Sequence, residues 1–196
     1  MLPIAIIVLA AGNSSRLGRP KQLLPFGHST LLYHAANTAL ASALGPVVVV
    51  LGAAEEKCRD ALSGLPVTII TNPSWEEGMG NSIATGMQAI NETSHRAAII
   101  MLCDQPAITP KILRSLDEHQ RATDKSIIAS EYGGTLGPPA LFTAEYFLQL
   151  RSLLGQQGAK SLFRDASALS SLSCPEGEFD IDTEDDLPFC PGENPG

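Results

Sequence analysis

The chain has 196 residues, 44% hydrophobic and 17% charged, which describes a globular chain with room for one core rather than a disordered one. Its 13 Lys and Arg face 21 Asp and Glu for a formal charge of −8, and the whole imbalance falls in the last 23 residues, which hold eight acids and no base. A general nucleic-acid binder, which needs a basic face to neutralise phosphates, is thereby excluded.

Taken in chain order, residues 3–9, 46–51, 66–71 and Ala97–Leu102 are short, apolar and rich in Val and Ile. Runs that are apolar on both faces are the pattern of parallel strands covered by helices on both sides. Helices are expected between and after them. Thr30 caps one that runs to about Ala41, residues 53–62 and 81–90 form the next two, and Thr109 with Pro110 opens a fourth to about Ala122. Strand–helix repetition of this kind gives an α/β fold: a single-domain, doubly wound, mostly parallel sheet with helices on both faces. The second half is less regular. It reads as a strand at 126–130, a Gly/Pro loop at 132–139, a short strand at 140–142, a helix from Thr143 to about Leu150, a short helix at 159–164 and a last strand at 179–181. One domain is expected over residues 1–190, with a flexible end at 191–196.

The four cysteines, at 58, 103, 174 and 190, make no C-x-x-C pair and suggest neither a zinc site nor a disulfide framework. A reduced, cytoplasmic setting is expected. The apolar stretch 4–11 has no Lys or Arg before it, so no secretory leader is expected. No segment reaches the roughly 18 apolar residues of a membrane helix, so no membrane partner is expected.

Ligands of such sheets bind beyond the carboxyl ends of the strands, which directs attention to loops 10–21, 72–82 and 103–106. The first reads Leu9-Ala10-Ala11-Gly12-Asn13-Ser14-Ser15-Arg16-Leu17-Gly18-Arg19-Pro20-Lys21. Small residues let the backbone approach a ligand. Ser14 and Ser15 add hydroxyls, and Arg16, Arg19 and Lys21 gather positive charge, as a phosphate chain requires. It is not a P-loop, since five residues separate Gly12 from Gly18 and Gln22 follows Lys21. The residues alone also allow a Gly/Ser turn with solvated basic side chains.

In loop 72–82, six residues separate the strand end from Gly78-Met79-Gly80, too many for the tight turn of a dinucleotide fingerprint. A turn and helix cap with Trp75 covering the core is the alternative to a ligand role. Asp104 ends the fourth apolar run. A carboxylate there is costly unless it pairs or binds a metal, and its sequence neighbours offer no cation, although a loop hydrogen bond would also serve. Cys103 reads as a buried, inert thiol.

The order of these residues resembles a known pattern. The first loop is similar to the L-A-A-G-x-S-x-R-x-G-x-x-K signature of the MobA-like nucleotidyltransferases. Leu23-Leu24-Pro25-Phe26-Gly27 follows as their L-L-P-x-x-G element, one residue short. The chain as a whole resembles the MocA-like molybdenum cofactor cytidylyltransferase branch. N-P-x-W-x-x-G-M-x-x-S at 72–82, L-C-D-Q-P at 102–106 and Asp180-Ile181-Asp182-Thr183 near the end extend the likeness. Two weaker matches lie at 133–142 and 155–163, on the family's acceptor side. The resemblance implies a Rossmann-like nucleotidyltransferase fold and CMP transfer from CTP to the terminal phosphate of molybdopterin. It implies that Leu9, Ala10, Ala11, Gly12 and Ser14 wrap the phosphates, and that Arg16 and Lys21 hold the triphosphate. Gly80, Asn81 and Ser82 are implied at the base and ribose. Mg²⁺ or Mn²⁺ is implied on Asp104 and Asp182, with Asp180 as the substitute, because Thr183-Glu184-Asp185 stands where the family usually has Thr-Pro-Glu. Catalysis is implied for Arg16, Lys21 and Asp104. A molybdenum hydroxylase or its maturation factor is the implied client. Residues 184–186 read as acids dressing a helix start. Still open are a GTP-using relative, which usually reads Leu-Ala-Gly-Gly at 9–12, a relative with another phosphorylated acceptor, and a non-catalytic cofactor carrier.

Overall fold

The computed structural model describes residues 2–14 and 18–181. The expectations for Ser15, Arg16, Asp182, the acids at 184–186 and the end at 191–196 lie outside the described residues. In chain order the elements are β1 (Ile4–Ala10), a small hairpin of β2 (Pro25–Phe26) and β3 (Ser29–Thr30), α1 (Leu31–Ala41), β4 (Val47–Leu51), α2 (Glu55–Ala61), β5 (Thr68–Thr71), α3 (Met79–Met87), β6 (Ala97–Leu102), α4 (Pro110–Thr123), β7 (Ile127–Tyr132), β8 (Thr135–Thr143), α5 (Phe147–Arg151) and β9 (Leu169–Ser173).

The strands β5-β4-β1-β6-β8-β7-β9 form one seven-stranded sheet in that order. β5, β4, β1 and β6 run parallel, β8 is antiparallel to both of its neighbours, and β9 is parallel to β7. The four apolar runs are the parallel strands, and their continuous hydrophobicity has a direct cause. In β1, Ile4, Ile6 and Val8 face a core shared with α1, α2 and α4, while Ala5, Ile7 and Leu9 face one shared with α3 and α5. Helices therefore cover both faces. Thr30 caps α1 by accepting from the Tyr33 amide at 3.2 Å, and Thr109 caps α4 with Pro110 at its first turn. No helix among the described residues is long and apolar enough to cross a membrane.

The sheet places the site. The chain leaves β1 toward β4 on one side, and β6 enters on the other, in register Leu9↔Leu102. The strand order reverses between them, so a crevice opens beyond their carboxyl ends.

Three expectations in the second half are corrected. The Gly/Pro loop at 132–139 is mostly strand: Gly133 and Gly134, both at positive φ, make the turn, and β8 begins at Thr135. Pro138 and Pro139 are tolerated there because β6 pairs only with residues 140–143 and the β7 register shifts beside them, so their missing N–H groups break no ladder. Residues 179–181 form no strand. The final strand among the described residues is β9, whose Leu-Ser-Ser-Leu-Ser sequence gives no apolar run because it is a half-buried edge. Thr143 does not cap its helix: its hydroxyl bonds Glu145 Oε1 at 3.1 Å, and a 3₁₀ turn, Ala144–Tyr146, precedes α5.

One buried charge group ties α4 to the sheet. Asp117 is 6% exposed and receives Arg96, just before β6, and Arg121, one turn along α4, at 2.7 Å. Burial raises its pKa, but hydrogen bonds from the two guanidiniums outweigh this and hold the carboxyl below its usual range. A lowered folded-state pKa contributes stability that is complete above the unfolded value and is lost as pH falls through the folded one. Asp117→Asn is therefore expected to cost about 3 kcal/mol at pH 7, by leaving a cation without its partner. Denaturant midpoints measured from pH 7 to pH 3 should show this gap closing below about pH 4.

Candidate active site

The loop after β1 is held by its carbonyl groups. Gln22, 1% exposed, donates from Nε2 to the carbonyls of Ala10 at 3.0 Å and Gly12 at 2.7 Å. The Ala53 amide donates to the Ala11 carbonyl at 3.2 Å. With the three carbonyls engaged, the N–H groups of Gly12 and Asn13 donate to nothing among the described residues. A Cβ on Gly12 would meet nothing within 4 Å, so the glycine leaves open space beside these donors. Amides without an acceptor beside open space are an arrangement that can receive an anion. Ser14 sits at φ 52° and accepts from the Lys21 amide through Oγ at 2.9 Å, which closes the loop.

Asp104, 9% exposed at the end of β6, meets the cation its sequence neighbours did not offer. Lys21 arrives from the first loop, and its Nζ pairs with Asp104 Oδ2. Oδ1 is buried without a hydrogen-bond partner among the described residues. The Asp104 carbonyl accepts from Ile181 at 2.9 Å, which brings the start of the acidic end to the same strand terminus. Ile181 is anchored by Leu24 and Leu31 in a small core of its own. Burial pushes the Cys103 thiol far above its usual range, with the Asp104 charge adding to it, so Cys103 is no nucleophile.

A cavity of about 490 Å³ opens here, walled by Leu9, Ala10, Ala11 and Gly12 on one side and by Lys21 and Asp104 on the other. Trp75 and Ser82 complete it. Asn72, 2% exposed, fixes that second loop: its side chain donates to Ser82 Oγ at 3.0 Å and accepts from the Ser74 amide at 2.9 Å. A larger cavity of about 640 Å³ adjoins it and shares Leu9, Met79, Leu102 and Gln156. The segments at 133–142 and 155–163 meet in the second cavity, through Gly133, Pro138, Ala140, Lys160 and Phe163, and Asp180 is on its wall.

The structure thus gathers Leu9, Ala10, Ala11, Gly12, Lys21, Asp104 and Ser82 around one space. Gly80 and Asn81 hold the neighbouring loop. The Gly80 amide donates to the Gly155 carbonyl at 2.9 Å, a Cβ on Gly80 would come within 2.6 Å of the Gln157 carbonyl, and Asn81 Oδ1 accepts from the Gly155 amide at 2.6 Å. These residues clamp loop 154–158, which carries Gln156 into both cavities. Sequence reasoning passed over Gln22, Gln105 and Gly52. Gln22 and Gln105 were legible only as neighbours of Lys21 and Asp104. Gly52 has no motif, but a Cβ there would come within 2.7 Å of both Trp75 and the Ala11 carbonyl.

Residues 6–171 match the MobA-like NTP transferase domain family. The chain is 38% identical to nicotine blue oxidoreductase of Paenarthrobacter nicotinovorans over 104 residues, 53% of this chain and 50% of that one, so it spans about half of that relative. It is 28% identical to the purine catabolism protein PucB of Bacillus subtilis (strain 168) over 199 residues, 89% of this chain and 93% of that one. Its fold matches the crystal structure of Rv0371c from Mycobacterium tuberculosis H37Rv with a TM-score of 0.84, 28% identity and 96% of both chains covered. A further structure of Rv0371c, in complex with manganese, matches at a TM-score of 0.79 and 26% identity over 95% of this chain and 97% of that one.

Gln22→Met keeps the side chain's length and removes its donors. Leaving two carbonyls of the first loop unpaired should weaken nucleoside triphosphate binding about tenfold. Titration calorimetry checks this, and a dissociation constant within twofold of wild type would show that Gln22 does not shape the loop.

Proposed function

The chain is a nucleotidyltransferase of the MobA-like NTP transferase family, and from that premise we propose that it acts in the cytoplasm, transferring CMP from CTP to the terminal phosphate of molybdopterin. One observation carries the reading. Lys21 and Asp104 meet on the wall of a cavity lined by backbone of the first loop, and a second, larger cavity adjoins it. The first suits a triphosphate, and the second suits an acceptor bulkier than a phosphate or a small polyol. Leu9-Ala10-Ala11-Gly12 favours CTP over GTP by the family resemblance. A molybdenum hydroxylase or its maturation factor would be the client.

An oxygen of the acceptor phosphate attacks the α-phosphorus of CTP. That P–O bond forms as the bond to the β-phosphate bridging oxygen breaks, and the electron pair leaves with pyrophosphate. The acceptor is already an anion, so no protein nucleophile and no general base is needed. The barrier is the approach of two anions, and positioning and electrostatics lower it. The Gly12 and Asn13 amides would hold phosphate oxygens of CTP, Lys21 would neutralise the charge gathering at the reacting phosphorus, and Ser82 would face the ribose side. Arg16 belongs to the same role by resemblance.

The residues present fit a divalent cation. Asp104 keeps Oδ1 buried and unpartnered among the described residues, and Mg²⁺ or Mn²⁺ binds through one or two carboxylates plus phosphate oxygens. The manganese in the Rv0371c structure is consistent with this. Asp104 would hold the ion, with Asp182 or Asp180 as its second carboxylate. When bound, the ion supplies Lewis-acid neutralisation of the phosphate oxygens.

Pyrophosphate release measured with each of the four nucleotides, with and without molybdopterin, tests the reading. Release with CTP that requires molybdopterin supports it. A GTP preference or another required acceptor overturns the assignment of substrate, and no release with any nucleotide points to a carrier. In the same assay Lys21→Ala and Asp104→Asn should each lower turnover by about 10²–10³, the usual cost of one preorganised charge partner. Near-normal turnover in either variant would remove that residue from the machinery.

A further inference from the structure

The second cavity holds an aromatic ring that the phosphate chemistry does not use. Tyr132 ends β7 and stands on the cavity wall. Two backbone segments close on the ring. A Cβ on Gly137 of β8 would come within 2.1 Å of the Tyr132 hydroxyl, and one on Gly177, in the turn Pro175–Glu178, within 2.5 Å of Cδ1 and Cε1. Only glycine fits at either position with the ring where it is. Gln105, 5% exposed, fixes the third side. Its Nε2 lies 2.7 Å from the Gly177 carbonyl, 3.3 Å from the Pro138 carbonyl and 3.3 Å from the Tyr132 hydroxyl.

Carbonyl groups can only accept, so the amide nitrogen must face them, and the orientation of Gln105 is determined. Its Oε1 is then left buried without a partner among the described residues. A buried acceptor left unpaired is unfavourable, and a ligand N–H would relieve it. One part of the wall is apolar, through Leu9, Ile83, Ile100, Leu102 and Phe163, and Thr135, Gln156, Lys160, Glu178 and Asp180 make its polar part. A rigid aromatic ring beside apolar side chains, an unsatisfied amide acceptor and the carboxylates of Glu178 and Asp180 suits a flat ring that carries N–H groups and discriminates against a saturated one.

We propose that Tyr132 is the platform on which the planar, N–H-bearing ring of the acceptor is seated, and that Gln105 is the residue that positions it. The identity of that acceptor as a pterin rests on the proposed function. The shape and chemistry it must have rest on the cavity.

Equilibrium binding tests this without turnover. The probes are 6-(phosphomethyl)pterin and cyclohexylmethyl phosphate, which share the phosphate and differ in planarity and donors. Titration calorimetry on the full chain should show wild type preferring the pterin by about tenfold, the scale of one ring stacked on an aromatic side chain. Tyr132→Leu should bring the preference close to one, and Tyr132→Phe, which keeps the ring, should retain most of it. Gly177→Ala should lower the preference by displacing the ring, and adding it to Tyr132→Leu should lower it no further. The CTP dissociation constant should stay within twofold throughout, which a disturbed fold would not allow. The proposal is overturned if wild type shows no preference, if Tyr132→Leu keeps it, or if CTP and pterin binding weaken together. Absence of CMP transfer alongside a Tyr132-dependent pterin preference would count against the cytidylyl reading alone.

Discussion

The Lys21–Asp104 ion pair spans the point where the strand order reverses, and the rest of the site is arranged around it. A carboxylate at the end of a buried strand is stable only with a partner. Lys21 supplies one from the far side of the crevice, so the loop after β1 is drawn to the end of β6. The Asp104 carbonyl then holds Ile181, which brings the acidic end to the same place. Three segments distant in sequence thus meet at one residue, Lys21 at its carboxylate and Ile181 at its backbone carbonyl. Within the pair a cation and an anion stand side by side, which suits a site that must accept a polyanion and a cation together.

Around this pair the backbone and the side chains divide the work. The first loop offers amide groups because Gln22 and Ala53 have engaged its carbonyls. Its donors are therefore fixed before a ligand arrives, which is what preorganised electrostatics requires. The second loop is set by Asn72 and Ser82. Gly80 and Asn81 act one step away by clamping loop 154–158, so the wall between the two cavities is registered to the nucleotide side. Gln105 repeats the device of Gln22: a buried amide spends its donors on carbonyl groups and shapes a cavity wall.

The parallel half of the sheet was legible in the sequence because each strand there is buried on both faces. Residues 46–51 and 97–102 could read as little else. The antiparallel half was not, because β8 carries Gly137, Pro138 and Pro139 at a register shift and β9 is a half-polar edge. Asp104 and Lys21 were legible as charged groups beyond strand ends, but not as a pair, because 83 positions separate them and only the topology joins them. The roles of Gln22, Gln105 and Gly52 were hidden for the same reason: a brace and a close approach are defined by what lies opposite. Asp180 was expected on a strand. It lies instead in an irregular segment on the second cavity's wall, beside the hydrogen bond that ties Ile181 to Asp104.

A double-mutant cycle tests most directly whether Lys21 and Asp104 act as one unit. Single-turnover rates of nucleotidyl transfer would be measured for wild type, Lys21→Ala, Asp104→Asn and the double variant. If the pair is a unit, the double variant is about as slow as the slower single one, because removing either partner already disables the other. If the two losses multiply, the residues act independently, and the ion pair is not the constraint on which the site is built.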